Sequence, residues 1–118
     1  MSRDPKPPIF VGEVRRLGFP LNVSCAICNR STVLPLGAAK GLPDEATMQH
    51  VAKRLRCSRC NLSPGAGVSV QPHPRLWVAH LRQSGAPKER LPYWAPMMPE
   101  AEDAEALAAF TERGALPN

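Results

Sequence analysis

The sequence predicts a small α+β domain organised around four cysteines, followed by a proline-rich segment and a terminal helix. The chain has 118 residues, which is enough for one domain. All of its cysteines fall into two Cys-x-x-Cys pairs, at 25–28 and 57–60. Its 14 prolines exceed the usual share of ~5% more than twofold, and aromatic residues make up only 5%. This composition argues against one large aromatic core and against a fibrous repeat.

Short strands are predicted in the N-terminal third. Residues 1–8 are polar and proline-rich, and we expect a disordered arm there. Apolar residues at even spacing predict a strand over 9–14. Apolar and polar residues alternate over 21–25, which predicts a strand leading into the first cysteine pair. A further short strand is expected at 32–34, ended by proline.

An amphipathic helix is predicted over 43–55. Pro43 suits a first helical turn, and the two acidic residues after it favour the positive end of the helix dipole. Apolar residues then recur at i, i+3, i+4 and i+7 and form one stripe. The stripe consists of Met48, Val51, Ala52 and Leu55. This helix precedes the second cysteine pair directly, so it is an insertion between the two pairs.

One more strand and one more helix complete the predicted domain. Residues 68–71 alternate with period two and are followed by prolines that end the strand. A short helix is predicted over 75–84, with Gly85 as its stop signal. We therefore expect the metal domain to span 9–84.

The remainder is predicted to be a linker and an acidic helix. Residues 85–98 contain four prolines and have no apolar period, which indicates an extended proline-rich linker. Acidic residues open a C-terminal helix over 99–113, and Gly114 closes it. Residues 1–92 carry 14 basic and 5 acidic groups, whereas residues 93–118 carry 1 basic and 5 acidic groups. A basic body with an acidic tail is the main large-scale feature of the charge distribution, and the acidic helix is expected either to bind a partner or to shield the basic body.

The cysteine pattern predicts a structural metal site. Two intervening residues allow both sulfurs of a pair to face one cation, and we call each such Cys-x-x-Cys turn a knuckle. Two knuckles provide four thiolate ligands, which complete a tetrahedron without an open position. We expect one structural Zn²⁺ per chain. Its predicted ligands are Cys25, Cys28, Cys57 and Cys60. Iron in a rubredoxin-like site is the main alternative, and two disulfides are a weaker one because the protein is expected in the reducing cytoplasm.

Asparagine follows each cysteine pair. Asn29 and Asn61 occupy the position where a metal knuckle needs a left-handed residue, and asparagine adopts that conformation more readily than most residues. The two knuckles are therefore expected to be equivalent. Three arginines near the pairs are expected to offset part of the negative charge of a zinc tetrathiolate. They are Arg30, Arg56 and Arg59.

Two Cys-x-x-Cys knuckles flanked by strands resemble the zinc-ribbon class. More narrowly, the segment Arg54–Cys60 resembles the LRCxRC knuckle of small bacterial proteins, a group whose function is not established. The resemblance covers about residues 20–71 and implies a zinc-ribbon-like fold. Asn61 departs from the glycine of such proteins, and the proline-rich tail has no counterpart. Because a helix precedes the second knuckle, a treble-clef-like variant also remains open.

A dense run of cations beside the second knuckle suggests a nucleic-acid-binding patch for DNA or RNA phosphates. Its residues are Lys53, Arg54, Arg56 and Arg59, and Arg15, Arg16 and Arg30 extend it. The alternative is a solvated helix end. No aromatic residues interleave with the run, so stacking on bases is not indicated. Nucleophile elbows, phosphate loops and His-Glu-x-x-His motifs are missing from the sequence, so an enzyme and a small-molecule substrate are not expected.

A second function class is a protein-interaction adaptor. Tyr, Trp and Met are enriched at protein interfaces, and a proline-rich setting suits a docking segment. The candidate partner-binding residues are Tyr93, Trp94, Met97 and Met98, together with helix 99–113. Alternatively, the aromatic pair covers the small metal domain. No signal-peptide-like segment or membrane span is apparent, so we expect a cytoplasmic protein.

Overall fold

The computed structural model describes residues 8–92, 95–114 and 116. Its contacts divide the chain into two compact units, with the division between His73 and Pro74. The described residues form an α+β arrangement of four helices and three strands. In chain order these are α1 Val11–Leu17, β1 Leu21–Cys25, β2 Arg30–Leu34, α2 Met48–Lys53, β3 Val68–Pro72, α3 Pro74–Gln83 and α4 Asp103–Arg113. None of these helices is long and apolar enough to cross a membrane.

The N-terminal unit is built on a three-stranded antiparallel sheet with the order β2-β1-β3. Three of the four predicted strands are present, those expected at 21–25, 32–34 and 68–71. β1 is central, and its last residue, Cys25, lies opposite Arg30 on one neighbour and Val68 on the other. Because directly opposed residues share a face, the register fixes which side chains surround the metal end of the sheet.

The strand predicted over 9–14 is wrong, because residues 11–17 form helix α1. Val11 and Val14 lie three residues apart, which suits one helical face, and both are completely buried. The extended part is limited to Phe10, which makes an isolated bridge with Thr47. Gly18, at φ 75°, ends the helix in the left-handed conformation.

Helix α2 is shorter than the predicted 43–55. Residues before it are engaged elsewhere: the Ala46 amide donates to the Pro43 carbonyl in a turn, and Val11 donates to the Ala46 carbonyl at 2.7 Å. The helix starts only after Thr47, whose backbone N–H donates to Nδ1 of His50 at 3.0 Å. The predicted apolar stripe is otherwise correct. Its members Met48, Val51 and Ala52 are buried in the helix, and Leu55 follows as a half-buried residue.

The second unit contains α3 and α4, which pack against each other. Asp103, at the start of α4, is completely buried and accepts hydrogen bonds from Arg75 at 2.7 Å and Arg82 at 3.3 Å. The prediction placed the α3 region within a metal domain ending at residue 84. In the structure α3 belongs instead with α4, because the buried carboxylate pairs with cations on α3.

The segment predicted as an extended linker, 85–98, contains two 3-10 turns, at Lys88–Arg90 and Ala95–Met97. Arg82 holds the second turn, donating to the Ala95 carbonyl at 2.6 Å and to the Met98 carbonyl at 3.0 Å. In an extended linker the Ala95 and Met98 carbonyls would lose these hydrogen bonds from the Arg82 guanidinium.

The two ends of the chain are described in part. The predicted arm at 1–8 lies outside the described residues except for Pro8. The predicted C-terminal helix over 99–113 begins with a 3-10 turn at Glu100–Glu102 and continues as α4. Gly114, at φ 65°, closes α4 as expected from the sequence.

Replacing Asp103 by alanine is expected to destabilise the C-terminal unit by about 3–5 kcal/mol, because two arginines lose their buried counter-charge. Glu105→Ala, an exposed change in the same helical turn, should alter the free energy of unfolding by less than about 0.5 kcal/mol. Urea denaturation followed by far-UV circular dichroism measures both. A loss below 1 kcal/mol for Asp103→Ala would contradict the role given to this ion pair.

Candidate metal centre

The first knuckle is the turn of the β1–β2 hairpin. Cys25 is the last residue of β1, and Cys28 lies in the turn 26–29 before β2 begins. Asn29 has φ 56°, the left-handed conformation expected from the sequence. This residue reverses the chain directly after Cys28, so both sulfurs remain on the inside of the turn.

The second knuckle is a turn that follows α2. Cys57 and Cys60 lie at its two ends, and the Asn61 amide donates to the Cys57 carbonyl at 2.8 Å. Asn61 has φ 50°, close to the value of its counterpart after the first knuckle. These two asparagines are the only non-glycine residues with positive φ in the described chain. The predicted equivalence of the knuckles is therefore confirmed at the backbone.

A glycine turn at 64–67 brings the two knuckles together. The Gly65 amide donates to the Leu55 carbonyl at 2.7 Å, and the Gly67 carbonyl accepts from the Ala26 amide at 2.9 Å. Gly67 has φ 70°, and a Cβ placed there would lie 2.8 Å from Cδ1 of Ile27. Glycine adopts this left-handed conformation without strain, and Ile27 would have to shift to admit a larger residue here.

The four sulfurs converge on one point. The Sγ atoms of Cys25 and Cys60 are 3.7 Å apart, and those of Cys28 and Cys57 are 3.6 Å apart. All four sulfurs lie within 4.8 Å of one another. A tetrahedron with bonds of about 2.3 Å to its centre has edges of roughly 3.8 Å. The cluster is thus compatible with a structural metal site, and none of the four cysteines forms a disulfide.

Backbone amides favour the thiolate form at one cysteine of each knuckle. The amides of Cys60 and then Arg59 lower the pKa of Cys57 to about 6. The amide of Cys28 lowers the pKa of Cys25 in the same way. Desolvation raises the pKa of Cys28, and raises the pKa of Cys60 to about 12. The protons that a cation displaces from Cys28 and Cys60 are therefore held more tightly than those of an ordinary thiol.

Histidines do not join the cluster in the described residues. His50 is exposed and caps α2 through Nδ1. His73 is buried, its Nδ1 lacks a hydrogen-bond partner, and desolvation lowers its pKa. His80 lies beside the Trp77 ring, with centroids 5.6 Å apart. The donor set consists of four thiols, which leaves a tetrahedral ion no open position for a substrate.

The cations beside the second knuckle occupy different environments, although all are exposed. Arg56 and Arg59 line a cleft of about 420 Å³ that Arg30 also lines. Arg54 donates to the Lys40 carbonyl at 2.8 Å, and Lys53 lies outside the cleft lining. The predicted basic patch therefore has two parts. Arg56 and Arg59 line the cleft, whereas Lys53 and Arg54 lie outside its lining.

The cations of α1 also differ from each other. Arg15 pairs with Asp44 and donates to the Leu42 carbonyl at 2.9 Å, so its guanidinium holds a loop. Arg16, its neighbour in the helix, is exposed. The sequence analysis grouped Arg30 with Arg56 and Arg59 because all three lie near the cysteine pairs, and the structure places these three arginines around one cleft. The cleft itself, with one wall from the sheet, was not predicted.

The predicted partner-binding segment is only partly described. Tyr93 and Trp94 lie outside the described residues. Met97 is 84% exposed, whereas Met98 is half-buried and its carbonyl accepts from Arg82. The interaction role of this segment stays a prediction.

Comparison of the chain with protein-family models, with curated proteins and with solved structures finds no match in any of the three.

Asn61→Val is expected to weaken metal binding roughly 5- to 30-fold, because a β-branched residue at φ 50° costs about 1–2 kcal/mol. Asn61→Gly should bind the metal at least as tightly as the natural chain, since glycine adopts this conformation without strain. Leu62→Val, at the next and exposed position, is the matched control. Competition with a chromogenic chelator gives the affinities. Equal affinity for the Val and Gly variants would refute the knuckle argument.

Proposed function

We propose that the four cysteines hold one structural Zn²⁺ per chain. The support is the donor set itself: four thiols whose sulfurs lie within 4.8 Å of one another, with two separations of 3.6 and 3.7 Å and no histidine among them. Thiolates select soft or borderline ions, and a closed tetrahedral site is typical of structural zinc. Iron binds to the same donors and is the alternative to zinc, and an absorption spectrum distinguishes the two metals. When bound, the ion supplies folding free energy and no chemistry of its own.

We also propose that the metal unit binds nucleic acid phosphates and is not an enzyme. The observation that carries this proposal is the cleft lined by Arg30, Arg56 and Arg59. Within the described chain none of these guanidinium groups forms an ion pair with a carboxylate. Arginine presents several fixed donors that match the geometry of a phosphate.

The charge of the metal unit supports the same proposal. Residues 8–73 contain eight lysines and arginines but only three acidic residues. One of those acids, Asp44, pairs with Arg15 outside the cleft. A zinc tetrathiolate has a formal charge of −2, so part of this excess offsets the metal centre. The exposure of all three cleft arginines leaves them accessible to a ligand as well.

The purified chain is expected to contain one zinc atom and to be colourless, whereas a four-thiolate iron site would absorb strongly in the visible range. Cys28→Ser should lose most of the metal, because one of four ligands is replaced by a hydroxyl. Ser58→Ala, within the second knuckle but outside the donor set, should retain it. Elemental analysis with an absorption spectrum distinguishes the outcomes. Iron at one atom per chain, or full metal content in Cys28→Ser, would overturn the zinc proposal.

Nucleic acid affinity is expected to fall steeply with salt, because phosphate binding releases counterions. Arg56→Glu with Arg59→Glu should weaken binding at least tenfold and lower the slope of log K against log salt by about two. The control is Lys40→Glu with Lys88→Glu, which changes the net charge equally at two exposed sites outside the cleft. Fluorescence anisotropy across a salt series measures all three proteins.

Two outcomes of that series contradict the phosphate-binding proposal. The first is the absence of binding at ~50 mM salt, where screening is weak. The second is an equal loss of affinity in the cleft variant and the control, which would indicate net charge alone. Metal content is determined for each variant, so that loss of the fold is recognised separately.

A protein-interaction adaptor is the second candidate function. The observation that favours it is Met97, a large apolar side chain that is 84% exposed on a turn held by Arg82. Tyr93→Ala with Trp94→Ala is expected to leave nucleic acid affinity within twofold of the natural chain and to remove adaptor binding. The same anisotropy assay measures the nucleic acid affinity of this double variant. A tenfold loss there would assign the aromatic pair to the nucleic acid site instead.

A further inference from the structure

The cleft lies over one face of the sheet, at its metal end. Cys25, Arg30 and Val68 form one row across the three strands, so their side chains share a face. Val23 and Thr32 oppose each other two residues away along their strands, so they lie on that same face because strand side chains alternate with period two. All five residues line the cleft. The sheet thus contributes one wall, and its chemistry is set by the strand register.

The other wall comes from the chain that enters the second knuckle. Leu55, Arg56 and Arg59 line it. Arginines therefore lie on both walls, one from β2 and two from the knuckle. No carboxylate belongs to the cleft lining in the described chain. Hydroxyl groups of Thr32 and Ser58, both exposed, add donors suited to phosphate and sugar oxygens.

The cleft also contains an apolar surface that phosphate binding does not explain. Its apolar members are all half-buried and therefore partly accessible: Val23, Leu34, Leu55 and Val68. The volume of about 420 Å³ lies within the range of roughly 300–1,000 Å³ typical of small-ligand sites. A duplex presents phosphates outward and keeps its bases stacked and paired inside. An unpaired nucleotide offers a phosphate, a sugar and an apolar base face together.

We propose that this cleft binds one unpaired nucleotide of a single strand, an inference that rests on the proposed nucleic acid function. The phosphate lies among the arginines, and the base packs on the apolar side chains. Guanidinium planes also stack on bases, so Arg30, Arg56 and Arg59 serve both parts of the nucleotide. This arrangement requires no aromatic platform, and it favours strands whose bases are exposed over fully paired ones.

The test uses the full-length, metal-loaded chain and fluorescence anisotropy with labelled 12-residue oligonucleotides. The probes are oligouridine RNA, oligothymidine DNA, the corresponding duplexes and an abasic DNA strand of equal length. We expect at least tenfold tighter binding of a single strand, with either sugar, than of its duplex. We also expect at least a tenfold loss with the abasic strand, which keeps the phosphates but lacks the bases.

A matched pair of variants tests whether the single-stranded nucleic acid binds in the cleft. Thr32→Glu puts a carboxylate into the cleft from edge strand β2, whereas Val33→Glu puts one on the opposite face one residue later. Both positions are exposed, and both changes alter the net charge equally. Thr32→Glu should weaken single-strand binding at least tenfold, and Val33→Glu less than twofold. Metal content checks that each variant folds.

The outcomes separate this inference from the function on which it rests. Equal affinity for duplex and single strand, or for abasic and intact strands, overturns the nucleotide cleft while the phosphate-binding function stands. Equal effects of the two β2 variants overturn the location of the site. Absence of binding to every probe at ~50 mM salt overturns both proposals.

Discussion

The convergence of four sulfurs is the constraint on which the N-terminal unit depends. They come from a hairpin turn and from a turn after α2, separated by 28 residues of sequence, yet they lie within 4.8 Å of one another. A unit of this size buries little apolar surface, so a metal bond network would supply folding free energy that the core cannot. The left-handed asparagines after each pair and the hydrogen bonds of the glycine turn to Leu55 and Ala26 are local conditions for that convergence.

The C-terminal unit is stabilised by a buried carboxylate that pairs with two arginines. Asp103 is completely buried between Arg75 and Arg82, and removal of one partner from such a group is costly. Arg82 uses its remaining donors on the Ala95 and Met98 carbonyls. One guanidinium therefore connects α3, α4 and the turn between them. These hydrogen bonds hold the turn at Ala95–Met97 although the surrounding proline-rich sequence has no apolar period.

The proposed function follows from the geometry that the sulfurs impose. Joining the hairpin to the second knuckle brings Arg30 of β2 to the same cleft as Arg56 and Arg59. All three arginines are exposed. In the proposed function they offset the negative charge of a thiolate centre and also contact a phosphate. The apolar side chains of the same cleft are the reason for proposing an unpaired nucleotide as the ligand.

The sequence alone determined those features that depend on residues close together in the chain. The cysteine spacing and the asparagines after each pair correctly predicted the four-sulfur cluster and the backbone of both knuckles. Strands were also predicted correctly at 21–25, 32–34 and 68–71. Tertiary structure decided what depends on distant partners. The even spacing of apolar residues predicted a strand over 9–14, but residues 11–17 are helical and Phe10 alone makes a bridge, with Thr47. The partners of Asp103 lie 21 and 28 residues away, and no periodicity encodes such a pair. The same holds for the cleft, since only the packing of the second knuckle against the sheet brings its arginines together.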